Sequence, residues 1–100
     1  MGMNPKMIQN MQKQMAQIQQ NLEHETVDTS TGGGAVSVTM TGHQKLTAIK
    51  IDPEAVDTSD ISELEDLILS AINDAVTKSQ ELAAKRMSVL TGGMRIPGLM

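Results

Sequence analysis

Apolar residues recur at Ile8, Met11, Met15, Ile18 and Leu22, three or four positions apart, in a stretch that is otherwise mostly Gln and Asn. That spacing predicts a long N-terminal helix with one narrow apolar stripe, close to a coiled-coil seam. Asn4 is a good N-cap, and Pro5 suits the first helical position. A helix with so thin a stripe is not stable alone, so the stripe must face a partner helix, in the same chain or in another.

The period then changes. Glu25 to Ser30 is rich in β-branched residues and reads as a short strand. After Gly32-Gly33-Gly34 the pattern alternates strictly, with Val36, Val38 and Met40 on one face and Ser37, Thr39 and Thr41 on the other. Gly42-His43-Gln44 reads as a turn. Leu46 to Ile51 alternates less cleanly, with Ile49 and Ile51 on one face, and Pro53 ends the sheet because it cannot donate to a ladder. These runs predict a three-stranded antiparallel β-meander.

The helical period returns at Ile61, Leu64, Leu67, Ile68, Ala71, Ile72, Ala75, Val76, Leu82 and Ala83. Ser59 with Ser62, or Asp60 with Glu63, offers a cap for this long C-terminal helix, and Gly92-Gly93 offers a stop. The fold class is therefore α+β. Residues 1–91 are expected to form a single domain and residues 92–100 a flexible tail.

Composition sharpens this picture in two ways. Phe, Tyr and Trp are absent, and each would bury roughly 150–250 Å². The core must be built from Ile, Leu, Val, Met and Ala, so part of the apolar surface is expected to be covered by another chain. The residues assigned to that covering are Ile8, Met11, Met15, Ile18 and Leu22 of the first helix and Val36, Val38 and Met40 of the sheet. Cys is also absent, which excludes disulfides, thiolate metal sites and cysteine nucleophiles and suits a reducing cytoplasm. No apolar run is long enough to span a membrane, and no secretory signal pattern opens the chain.

The net charge is −4, but the charges are segregated. The N-terminal 22 residues carry only Lys6 and Lys13. Asp52, Glu54, Asp57, Asp60, Glu63, Glu65, Asp66 and Asp74 follow with no base among them. Lys78, Lys85, Arg86 and Arg95 then face one acid, Glu81. Part of this is ordinary helix-dipole placement, acids at the start and bases at the end. The remainder is information about partners.

The triple glycine raises the question of a phosphate cradle. A P-loop requires Lys-Ser/Thr after its last glycine, and a dinucleotide fingerprint requires a strand before and a helix after. Here strands lie on both sides, so a hairpin turn is the reading. His24 and His43 lack the clustered ligands of a metal site. No serine elbow or S-x-x-K is present. The residues thus point away from an enzyme, a cofactor, a metal and a small-molecule substrate. Lys78 and Lys85 are seven apart and share a helical face, where they can meet phosphates. One chain offers few such charges, and a two-fold dimer doubles them. Without aromatics, bases cannot be stacked, which leaves the duplex backbone as the feasible target.

In order along the chain, "MIQNMQKQMAQIQQNLE", "GGGAVSVTMTGHQKLTAIKIDPE", "ELEDLILSAINDAVTKSQELAAKRM" and "TGGMRIPGL" resemble the YbaB/EbfC family of bacterial nucleoid-associated DNA-binding proteins over nearly the full length. The resemblance implies a homodimer in the bacterial cytoplasm and nucleoid, binding double-stranded DNA with little sequence specificity through protruding helical ends, organising the nucleoid and influencing gene expression. Carried onto this chain, the DNA-contacting positions are Lys6, Lys13, Lys78, Lys85 and Arg86. The reading of another class is a protein-interaction adaptor that uses the Met-rich helix and the acidic surface, with little DNA binding.

Overall fold

The computed structural model describes residues 4–90. The element order is α1 (Pro5–His24), β1 (Thr26–Thr31), a 3₁₀ turn (Gly32–Gly34), β2 (Val36–Thr41), β3 (Leu46–Ile51) and α2 (Ile61–Leu90). The three strands form an antiparallel meander in the order β1-β2-β3. The expected tail, and the stop at Gly92-Gly93, lie outside the described residues.

Local chemistry sets the boundaries. Asn4 Oδ1 accepts from the Met7 amide at 2.8 Å and Pro5 opens α1. Asp60 Oδ1 accepts from the Glu63 amide at 3.1 Å at the start of α2, one of the two caps the sequence offered. The three glycines all have positive φ, from 62° to 98°, a region closed to most L-residues. They turn β1 into β2, as a hairpin requires. Gly42 serves differently. Its amide lies 3.0 Å from both the Leu22 and Glu25 carbonyls, and a Cβ there would sit 2.5 Å from Leu22 Cδ2. The absent side chain lets the end of β2 touch the end of α1.

The register places Val27, Thr29 and Thr31 of β1, Val36, Val38 and Met40 of β2, and Leu46, Ile49 and Ile51 of β3 on one face. A bulge explains the uneven alternation of β3. Thr39 pairs with Ala48 and Met40 with Leu46, so Thr47 is an extra residue that returns Leu46 to the face of the isoleucines.

α2 lies across β1 and β2. The residues it presents to the sheet are small, Ala71, Ala75 and Ser79, all fully buried. They let the helix backbone come close enough for hydroxyls to bridge the layers. Thr29 Oγ1 donates to the Ala71 carbonyl at 2.7 Å, Thr31 Oγ1 to the Leu67 carbonyl at 2.7 Å, and Ser79 Oγ to the Thr41 carbonyl at 2.8 Å. Val36, Val38 and Met40 complete the core, with Leu64, Ile68, Ile72 and Val76 packed round it.

Part of the expected dimer surface is covered within the protomer: Val36, Val38 and Met40 retain 0–2 % of their exposure because α2 of the same chain lies over them. Leu22, 1 % exposed, is likewise taken up inside the protomer, against Gly42.

Replacing Gly42 with Ala is expected to cost about 1–3 kcal/mol, the range for overpacking a closed site. At Gly33, where a Cβ meets nothing within 4 Å, Ala should cost only the left-handed backbone penalty, about 1–2 kcal/mol. Urea unfolding of the two variants measures both.

Candidate nucleic-acid interface

The chain is elongated, 66 × 27 × 16 Å. The N-terminal part of α1 accounts for much of that shape. From Pro5 to Gln17 every residue of α1 is exposed, Ile18 is half-buried, and Leu22 anchors the base. The helix is about 30 Å long, and only its C-terminal end is packed. There it meets the C-terminal part of α2: Ile18, Asn21, His24 and Glu25 line one groove with Arg86 and Val89. The two helices therefore run antiparallel, with α1 reaching past the last described residue of α2.

Each basic position expected to contact DNA now has a location, and Arg95 lies outside the described residues. Lys6 and Lys13 are exposed on the free part of α1, seven residues and about 10 Å apart on one face. Lys85 is exposed on α2 near the base of this arm. None of the three makes an ion pair among the described residues. Lys78 is in the body instead, its Nζ donating to the Asp28 carbonyl of β1 at 3.4 Å. It is tied to the flank of the sheet.

Arg86 is different again. Its Nε donates to both carboxylate oxygens of Glu25 at 3.0 Å, and its Nη2 donates to Oε1. The residues are 61 apart in sequence and close the corner where α1 passes into β1 against α2. The guanidinium holds the Glu25 carboxyl below its ordinary pKa, chiefly through the hydrogen bonds and secondarily through its charge. Glu25 raises the pKa of Arg86 by the same two causes. Arg86, expected among the phosphate contacts, is thus a neutralised brace for the arm.

One basic position near the arm was overlooked in the sequence. Lys45, in the β2–β3 turn, lines a groove of about 640 Å³ with Glu23, His24, Thr41 and His43 at the root of α1. The turn is fastened there by His43, whose Nε2 donates to the Gln19 carbonyl at 2.7 Å. The available signal was the run His43-Gln44-Lys45 beside a glycine, which reads as a turn and not as a site.

The acidic block occupies the opposite end. Asp52, Glu54, Asp57 and Asp60 lie in the connection before α2, and Glu63, Glu65 and Asp66 in its first turns. From Ile61 to Lys85 is about 36 Å along the helix. Screening decays over about 8 Å at physiological ionic strength. The arm is therefore electrostatically independent of that acidic block, and the net charge of −4 does not describe the surface it presents. No group of His, Asp and Glu among the described residues could hold a metal ion, and no helix is long and apolar enough to cross a membrane.

Comparison with known proteins gives one answer. The model of the YbaB/EbfC DNA-binding family matches residues 1–94. A nucleoid-associated protein of Syntrophobacter fumaroxidans is 44% identical over 99 residues, covering 98% of this chain and 90% of the relative. One from Roseiflexus castenholzii is 49% identical over 100 residues, covering 96% and 99%. The crystal structure of an uncharacterised Helicobacter pylori protein superposes with a TM-score of 0.71 at 22% identity, over 91% of this chain and 97% of that one, and shows the same fold.

The brace makes a pH prediction. Glu25 titrates lower folded than unfolded, so its contribution to stability is present above its ordinary pKa of 4.5 and is lost as pH falls through the depressed folded value. Asp57, lowered by the Ser59 hydroxyl and amide, has the same sign. Melting temperature should fall below about pH 4.5, and Arg86→Ala, already lower at pH 7, should show a shallower fall. Thermal melts of both proteins from pH 7 to pH 3 measure this.

Proposed function

The chain belongs to the YbaB/EbfC DNA-binding family, and from that premise we propose that it acts as a homodimer whose helical arms grip duplex DNA through Lys6, Lys13 and Lys85. The observation that carries this reading is the projecting arm. Lys6 and Lys13 on it and Lys85 near its base are exposed, without ion-pair partners among the described residues, and lie tens of ångströms from the acidic end. Lys45 extends the basic surface to the root of the arm.

The mode of binding follows from the residue types. Lysine is a flexible point charge that positions a protein on phosphates and carries no sequence information. Without aromatic residues there is no stacking platform for unpaired bases. Binding is therefore electrostatic, of low sequence specificity, and directed at the duplex backbone. A protein of this kind in the bacterial cytoplasm coats and organises the nucleoid and influences expression through occupancy. Lys78 and Arg86 contribute by holding α2 to the sheet and to α1, which fixes the direction of the arm. No chemistry is required, and no catalytic, cofactor or metal role is assigned to any residue. The apolar stripe of α1, Ile8, Met11, Met15 and Ile18, stays partly or wholly exposed in the protomer. It remains available to helices of a second copy.

With three free lysines per protomer, a dimer meets about six phosphates, and log K should fall against log salt with a slope of about −5. The pair Lys13→Gln and Lys85→Gln removes four of those contacts and should bring the slope to about −2. Lys78→Gln should leave it nearly unchanged. Fluorescence anisotropy over a salt series reads all three. No binding at low salt and high protein concentration would overturn the proposal.

A further inference from the structure

The basic row of α1 does not end at its lysines. Lys6, Lys13 and His24 fall on one side of the helix, about five turns from the first to the last. The apolar stripe runs along the other side. His24 is the last residue of α1 and is exposed, so it carries the row down to the root of the arm. There it stands between two grooves. One holds Glu25 of the α1–β1 corner and Arg86 of α2, which neutralise each other. The other, of about 640 Å³, holds Glu23 of α1 and His43 and Lys45 of the β2–β3 turn. These are the charged and titratable groups that line the two grooves among the described residues.

The turn is held in place for this. Thr41 Oγ1 accepts from the amides of His43 and Lys45, at 3.2 Å each. His43 Nε2 donates to the Gln19 carbonyl at 2.7 Å, so that nitrogen carries a hydrogen whether the ring is neutral or charged. A second proton enters at Nδ1. It adds charge without releasing the turn from α1, and it creates a donor on the side of the ring that Gln19 does not use. Glu23 and Lys45 cancel in net charge. The groove is therefore neutral while both imidazoles are neutral, and it gains two positive charges when both are protonated.

We propose that His24 and His43, with Lys45, form a second phosphate-binding patch at the root of each arm, and that protonation of the two imidazoles switches it on. The inference rests on the DNA-binding reading and adds a regulation of that same surface. Histidine is the side chain suited to a change of charge between pH 5 and 8. The chain has two histidines and no cysteine, and both histidines are in this patch. An imidazolium beside a phosphate adds a charge-assisted hydrogen bond and one more counterion released from the duplex. The phosphate in turn favours the charged ring. Binding therefore takes up protons, and affinity for DNA rises as pH falls. The acidic block before and at the start of α2 lies at the far end of the molecule and does not offset the new charge.

Fluorescence anisotropy of the intact protein with a short DNA duplex, over salt series at about pH 8 and about pH 5.5, reads the patch. Both values lie above the range in which the Glu25 brace is lost. Up to four imidazolium contacts per dimer should steepen the slope of log K against log salt from about −5 to about −8. His24→Gln with His43→Gln should remove the steepening, and either substitution alone should remove about half of it. The α-amino group is common to all these proteins and cancels in the comparison. Calorimetry of the unaltered protein at about pH 6.5, in two buffers of different ionisation enthalpy, should show protons taken up on binding. DNA binding with the same slope at both pH values, or a steepening that survives in the double variant, overturns the patch and leaves the DNA-binding reading intact. No binding at either pH overturns both.

Discussion

The close approach of α2 to the sheet is the contact on which the rest depends. Ala71, Ala75 and Ser79 have no exposed surface, and only side chains of that size let three hydroxyls bridge from sheet to helix carbonyls or back. Each such bond is worth about 0.5–1.5 kcal/mol net. Their larger effect is on position, because a helix tied at Leu67, Ala71 and Ser79 cannot slide across the sheet. A chain without Phe, Tyr or Trp gains its packing density from this intimacy and not from bulk.

The same contact decides what stays uncovered. One helix has the width of about two strands, and α2 is fastened over β1 and β2. β3 is left with an apolar face and a free edge, and α1 is fastened only at its base by Leu22, Gly42 and the Glu25–Arg86 brace. The protomer is thus a small, well-packed centre with two unfinished surfaces. Lys6 and Lys13 lie on the part that projects, and the acidic block from Asp52 to Asp66 lies on the part that does not. Charge segregation along the sequence becomes separation in space because α2 runs about 45 Å from one end of the molecule towards the other.

Much of this was legible in the residues. The stripe of α1, the alternation of β2 and the long repeat of α2 each fixed an element, because period reports directly on which positions can be buried together. The turn reading of Gly32-Gly33-Gly34 rested on the strands either side, and their positive φ angles agree with it. The basic positions were found as residue types, but their roles were not. Lys13 and Arg86 look alike in a sequence. One is free on an arm, and the other is neutralised by an acid 61 residues away.

The sequence by itself determined the elements, their order and the segregation of charge, because these depend on neighbours within a turn or a strand. Tertiary structure alone decided which surface covers which. Val36, Val38 and Met40 read as an apolar face awaiting a partner, and whether that partner is α2 or a second copy depends on contacts between residues 30 or more positions apart, which no local period encodes. The bulge at Thr47 belongs to the same class. It turns an irregular run into a continuous apolar row, and it exists only because β2 lies beside it.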